Sequence, residues 1–337
     1  MSKTKAEGRL AQIPTRRDRN RMKTLAVVLE QPEHLCLSRL DLAPAGDDDV
    51  VVDIDFSGIS TGTEKLLWTG RMPSFPGMGY PLVPGYESVG TVAQCGARSG
   101  LEVGQPVFVP GARCYGEVRG LFGGAASRVV VAASRVVPIG AQLREQGVLL
   151  ALAATAYHAV ACGGKREHPT PPDLIVGHGV LGRLLARLTV LAGGAPVVWE
   201  RDASRRGGSQ GYSVIHPDQD GRRDYRAIYD VSGDAALLDT LIQRLAPGGE
   251  IVLAGFYSEP LSFAFAPAFM REAQIRAAAE WQRPDLLAVK ELLDTGRLSL
   301  DGLITHRAQA SHAADAYRTA FGDPQCLKMV LDWRGCA

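Results

Sequence analysis

Six consecutive residues, Gly177-His178-Gly179-Val180-Leu181-Gly182, form a G-x-G-x-x-G arrangement directly after the apolar run Leu174-Ile175-Val176. Glycines at those places let the chain turn sharply, let backbone N–H groups approach a pyrophosphate, and let the following helix pack against the strand, while the helix N-terminus favours the anion. Glu200 ends the next strand-like run, Val197-Val198-Trp199, 18 residues after Gly182. A carboxylate there accepts from the adenosine ribose hydroxyls and repels a 2′-phosphate, so the pattern predicts a dinucleotide site with NAD preferred over NADP. Arg201 could accept such a phosphate, but its charged and polar neighbours read as a solvated surface. His178 lies inside the loop and is expected to meet the cofactor. Val231, Ser232, Gly255 and Phe256, at the carboxyl ends of two later strand-like runs, complete the expected cofactor set.

Other chemistries find less support. The cysteines stand at 36, 95, 114, 162, 326 and 336 with no C-x-x-C pair, which gives neither a zinc knuckle nor a dense disulfide framework. Reduced thiols in a cytoplasm are the expectation. Thirty-seven Lys and Arg against 36 Asp and Glu argue against a nucleic-acid binder or a polybasic membrane-surface protein. The longest apolar stretch, Leu149 to Cys162, contains Thr155 and His158 and is shorter than the roughly 20 residues of a membrane span. It reads as a buried helix, and the expected partner is a small molecule. Residues 1–23 carry eight basic residues against two acidic ones, with no secretory h-region. The first 21 are expected to be a disordered, dispensable basic extension.

The elements that must position these residues fall into two textures. Val50 to Phe56 alternates Val52, Ile54 and Phe56 with Asp53 and Asp55, the period of a half-buried strand. Short apolar runs at Leu25–Leu29, Val89–Ala93, Val107–Val109 and Val129–Val131 are separated by glycines and prolines, predicting a compact antiparallel or barrel-like unit. From residue 148 onward, helical and strand patterns alternate at the length of βαβ units. A helix with Leu237, Leu238, Leu241 and Leu245 on one face, capped by Asp234 and ended by Pro247-Gly248-Gly249, is expected between strands near Ala227–Tyr229 and Ile251–Leu253. A last helix near Ala310–Phe321 and a strand near Met329–Leu331 follow. The fold class is α/β: a Rossmann doubly wound parallel sheet plus a barrel-like domain.

With Pro84-Gly85-Tyr86-Glu87-Ser88-Val89-Gly90 between the barrel-like part and the glycine fingerprint, residues 23–333 resemble the medium-chain dehydrogenase/reductase superfamily, whose catalytic domain is GroES-like. Residues 57–90, 107–124, 176–190 and 253–273 are similar to its 3-hydroxyethyl bacteriochlorophyllide a dehydrogenases. The resemblance implies a catalytic domain of 22–155 and 305–337 around a Rossmann domain of 156–304. It also implies a homodimer through the Rossmann sheet edge, and NAD-dependent oxidation of the 3-(1-hydroxyethyl) group of a tetrapyrrole, bacteriochlorophyllide a, to acetyl.

Departures from the superfamily carry further expectations. Its zinc enzymes take ligands from G-I-C and G-H-E segments, which here read Gly58-Ile59-Ser60 and Gly85-Tyr86-Glu87, and the four-Cys structural lobe is absent. Hydroxyls are poor zinc ligands beside thiolate and imidazole, so no metal is expected and a side chain must take the alcohol proton. The candidates are Ser60, Thr63, Glu64, Tyr86, Glu87 and His158. Glu87 or His158 is the expected base and Tyr86 a donor or relay; His158, on the apolar face of its helix, reads first as a satisfied core histidine and second as a residue touching substrate, and core packing stands evenly against the relay for Tyr86. The segment Trp68–Pro81, or Phe256-Tyr257 with Phe263–Met270, is expected to line the pigment, with a packed loop or dimer contact the equal alternative for the first, and Arg71 or Arg119 is expected to meet its propionate. Two rival functions remain open: a zinc-free NADPH-dependent quinone or enoyl reductase, and a non-catalytic dinucleotide- or pigment-binding protein.

Overall fold

The computed structural model describes residues 22–161 and 170–336; the extension 1–21 and Cys162 lie outside the described residues. Three sheets are present among them. Strand Asp49–Ile59 is the spine of the largest. It pairs antiparallel with Ser88–Cys95, Arg128–Ala132 and Met329–Asp332. Val50, Val51, Val52 and Ile54 are buried, while Asp53 turns outward to a two-pronged contact with Arg128. A smaller sheet joins His34–Asp41, Lys23–Gln31, Leu82–Val83 and Arg119–Gly120.

The third sheet is parallel throughout, in the spatial order Ser213–Ile215, Val197–Trp199, Leu174–Val176, Tyr225–Asp230, Leu245–Leu253, Gln274–Ala277. Numbered along the chain within this sheet the order is 3-2-1-4-5-6, that of a dinucleotide-binding fold, and the switch point lies beside Leu174–Val176. Leu174–Val176 at its centre is a continuous buried apolar run, as expected of a strand covered on both faces. The α/β architecture, with a Rossmann sheet beside a barrel-like unit, is the expected one. Helices Leu150–Ala161 and Val180–Leu191 pack against each other over this sheet, and Arg283–Asp294 packs on the first of them.

One element differs from expectation. Asp234 caps the start by accepting from Ala236 N–H at 3.0 Å, but the helix proper is only Leu238–Ile242. Leu245 belongs instead to strand Leu245–Leu253, paired with Tyr225. Its burial comes from the sheet, and Pro247-Gly248-Gly249 forms an irregularity inside that strand, with Gly248 at φ +72°. A leucine spacing that suits a helix face also fits a short helix followed by a strand when the same core receives both.

Candidate active site

The glycine loop is built by close approach. Gly177 turns the chain at φ +106°, a region open to glycine. A Cβ on Gly182 would lie 1.9 Å from the Gly177 carbonyl oxygen, so the helix can seat against the strand only without a side chain there. The first intrahelical bond runs from Arg183 N–H to Gly179 C=O at 3.0 Å. The N–H groups of Val180, Leu181 and Gly182 therefore have no helical acceptor. A Cβ on Gly179 would meet nothing within 4 Å; the position opens onto a cleft. These features fit a dinucleotide pyrophosphate.

Glu200 lies at the carboxyl end of Val197–Trp199, its Oε2 accepting from His178 N–H at 3.1 Å and its Oε1 from Asp202 N–H at 2.9 Å. The strand-end acid is thus anchored beside the loop. Arg201 is exposed and does not line the cleft. The expected contact of the His178 side chain with cofactor is corrected. Its ring is fully buried, Nδ1 donates to the Arg205 carbonyl at 2.6 Å and Nε2 accepts from the Tyr212 hydroxyl at 2.9 Å. Burial pulls its pKa down to about 4, so the imidazole is a neutral brace for the loop.

The cleft measures about 950 Å³ and runs from this loop to a polar corner of the barrel-like unit. Val180, Leu181, Val231, Ser232, Gly255 and Phe256 line the first wall. At the opposite corner, Ser60 follows the spine strand and Tyr86 comes from the turn that Gly85 makes at φ +99°. Their hydroxyls are 2.7 Å apart, Thr63 lines the same corner, and Phe122 meets the Tyr86 ring edge-on at 5.4 Å. Burial, with the nearby Glu87 charge, holds the phenol proton far more tightly than usual. Tyr86 stays neutral.

Lys328 lines the same corner and was not anticipated. It precedes strand Met329–Asp332, whose pairing with the spine places Nζ 2.6 Å from Glu87 Oε2 and 3.2 Å from the Ile59 carbonyl. Both side chains of the pair are buried. Desolvation pushes the Glu87 carboxyl up and Lys328 pulls it down. Gly58 makes room for it, because a Cβ there would lie 2.4 Å from Glu87 Oε2. The one available signal in the sequence was a lone lysine inside Cys326-Leu327-Lys328-Met329-Val330-Leu331, since a lysine is rarely buried unless paired.

Glu87 as a base facing substrate is corrected: it lies behind the cleft wall, committed to Lys328. His158 as a base is corrected too, and it is the satisfied core histidine that its apolar helix face suggested. Leu152 and Thr155 line the cleft, but one turn on, His158 Nδ1 is 2.8 Å from Asp285 Oδ2, which ties its helix to Arg283–Asp294. Glu64 is buried beside this corner, accepting from Ser60 N–H at 3.2 Å and the Tyr317 hydroxyl at 2.8 Å. Burial pushes its carboxyl up to about 7, against the pull of those hydrogen bonds.

The expected pigment-facing residues are also displaced. Trp68, Met78 and Tyr80 pack with Leu29, Leu67 and Leu82 in a separate small core. Arg71 is paired with Glu259 at 2.9 Å and Arg119 donates to the Tyr80 carbonyl at 3.2 Å; neither lines the cleft. Phe122, Val137, Leu152, Trp281 and Leu286 supply its apolar surface, with Phe256 from the expected set.

The donor set does not suit zinc. Two hydroxyls bonded to each other, beside an ammonium that repels a dication, stand where thiolate and imidazole would be needed. Among the described residues no group of three or more His, Cys, Asp and Glu could hold a metal ion, and no helix is long and apolar enough to cross a membrane.

Residues 46–141 match the alcohol dehydrogenase GroES-like domain family. The chain is 57% identical to the 2-desacetyl-2-hydroxyethyl bacteriochlorophyllide A dehydrogenase of Cereibacter sphaeroides, over 94% of this chain and 100% of that one. It is 57% identical to the protein of the same name from Rhodobacter capsulatus, over 93% and 99%. An alcohol dehydrogenase from E. coli CFT073, solved with NADH, superposes with a TM-score of 0.77 at 22% identity, over 92% of this chain and 99% of that one. The chain therefore belongs to the family of 2-desacetyl-2-hydroxyethyl bacteriochlorophyllide A dehydrogenases, within the medium-chain dehydrogenase/reductase superfamily.

Proposed function

We propose that the protein oxidises the 3-(1-hydroxyethyl) group of bacteriochlorophyllide a to acetyl with NAD and without zinc. The observation that carries this reading is a single cleft joining an open glycine loop to the hydroxyl pair Ser60–Tyr86, in a chain 57% identical to dehydrogenases named for that pigment. The backbone of Gly177 to Gly182 would hold the pyrophosphate and Glu200 the adenosine ribose, which favours NAD over NADP. The chemistry NAD supplies when bound is acceptance of the hydride from the carbinol carbon.

Everything else falls to the chain. The carbinol proton passes to the Ser60–Tyr86 pair; the phenol takes it as its own proton is handed through Ser60 to water in the cleft, so the net proton of the oxidation leaves to solvent. Lys328, its charge paired with Glu87, spends two of its three N–H donors on Glu87 and the Ile59 carbonyl and offers the third to the developing alkoxide. Glu87 keeps that ammonium fixed and its burial compensated. Strand Gln274–Ala277 ends the parallel sheet among the described residues, with Ile275, Phe265, Phe269 and Met270 exposed nearby. Such an edge supports a homodimer formed there.

The test is incubation of the protein with hydroxyethyl bacteriochlorophyllide a and NAD. One NADH should form per acetyl pigment, seen as a red-shifted absorption band. No NADH, or NADPH-driven reduction of quinones or enones instead, would overturn the reading.

A further inference from the structure

Beyond the loop and the hydroxyl corner, the cleft is lined by three guanidinium groups from three separate places. Arg113 follows strand Pro106–Val109, Arg135 ends the 3-10 turn Ala133–Arg135, and Arg283 opens helix Arg283–Asp294. Arg283 is committed, its Nη1 donating to the Ser134 carbonyl at 2.6 Å. That bond ties it to the residue before Arg135. Arg113 and Arg135 have no salt bridge among the described residues.

The charge count on the cleft wall is one-sided. Lys328 is cancelled by Glu87 behind it, and the one acidic side chain lining the cleft is the exposed Glu280. Two positive charges therefore remain on the wall of a chain whose overall charge is close to neutral. Partial burial and the repulsion of Arg113 make the Arg135 cation harder to keep than usual, with Glu280 acting against them. An anion between the two guanidinium groups relieves that repulsion and accepts their N–H donors, the geometry in which arginine recognises a carboxylate. The pyrophosphate already has its own site at the glycine loop. Flanking Phe122, Val137 and Trp281 are apolar, so the ligand pairs a flat apolar body with an acid at its rim.

We infer that Arg113 and Arg135 form a carboxylate subsite that grips the free propionate of the pigment, so that the protein selects the free acid over its esters. This rests on the functional reading above in taking the pigment as substrate.

The experiment compares hydroxyethyl bacteriochlorophyllide a with its propionate methyl ester, in wild type and in the Arg113→Ala/Arg135→Ala variant. Turnover is followed as NADH and pigment binding as quenching of tryptophan fluorescence, since Trp281 lines the cleft. Both arginines are solvent-exposed, and folding should survive their loss. Wild type should favour the acid by about tenfold or more in kcat/KM and in binding, as one charge-assisted contact provides. The variant should treat the two forms alike, with the KM for NAD unchanged. Equal use of acid and ester by wild type, persistence of the preference in the variant, or a rise in the NAD KM larger than that for pigment would overturn the subsite. Preferential binding of the acid without NADH formation would leave the subsite standing and overturn the oxidation instead. No quenching by either pigment would overturn both.

Discussion

Glu64 offers a measurable consequence of burying an acid. Its carboxyl, ordinarily near 4.5, is pushed up to about 7 by burial, with Glu87 adding and Tyr317 and Ser60 subtracting. Between those two values the folded chain keeps a proton that the unfolded chain has released. Stability must then fall as pH rises through that window: the contribution is fully present below about 4.5 and gone above about 7. At about 1.4 kcal/mol for each pH unit of displacement, the loss comes to about 3 kcal/mol. For a chain of this length, with unfolding entropy near 2 cal/mol/K per residue, that corresponds to about 4–5 °C in Tm. Glu64→Gln removes the titration and keeps the shape. Its carbonyl can accept from Ser60 N–H while its amide donates to the Tyr317 hydroxyl. Thermal and urea unfolding of both proteins at pH 5 and pH 8 should show a variant that loses about 3 kcal/mol less than wild type across that interval. Identical pH slopes in the two proteins would refute the claim that Glu64 is the protonated buried acid.

Tyr86→Phe, or Ser60→Ala, should lower kcat by about a hundredfold with little change in the NAD KM, and the double variant should be hardly worse than the poorer single one because the hydroxyls act as a unit; full kcat in both singles would sink the relay. Glu200→Ala should reduce the NAD-to-NADP ratio of kcat/KM by about tenfold or more, and a wild-type enzyme faster with NADP would show the assignment of Glu200 to be wrong. Lys328→Met strands a buried carboxylate and should cost about 3–5 kcal/mol in urea unfolding, much of it recovered in Lys328→Met/Glu87→Gln; a single variant as stable as wild type would contradict the buried ion pair.

What could be read from sequence follows from how far apart the partners are. Leu174 to Gly182 and Glu200 were legible because strand, loop, helix and acid lie within one βαβ unit and each leaves a local mark. The outer strands Ser213–Ile215 and Gln274–Ala277 left none, being only three and four residues long at the sheet edges. Ser60 and Tyr86, 26 residues apart, could be paired through the superfamily motifs they replace, and their hydroxyls do meet. The partners of Glu87 and Glu64 were out of reach: Lys328 lies 241 residues from the first and Tyr317 lies 253 from the second. Periodicity marks which face of an element is buried and says nothing about which distant charge waits there. His158 makes the same point, since its apolar helix face was visible and Asp285 was not.

The late arrival of Lys328 has a bearing on how the protein is made. Its ammonium reaches the Ile59 carbonyl across 269 residues of chain, so the barrel-like unit begins on the ribosome with Glu87 and no counter-charge. At about 5–20 residues per second, the wait lasts roughly 15–50 s. Until Lys328 emerges, a nascent chain has every reason to leave Glu87 hydrated and the spine strand open along the edge that Met329–Asp332 later fills. Strand Met329–Asp332, made long after the spine it pairs with, is thus the latch that brings the counter-charge of Glu87 and one wall of the pocket into place together.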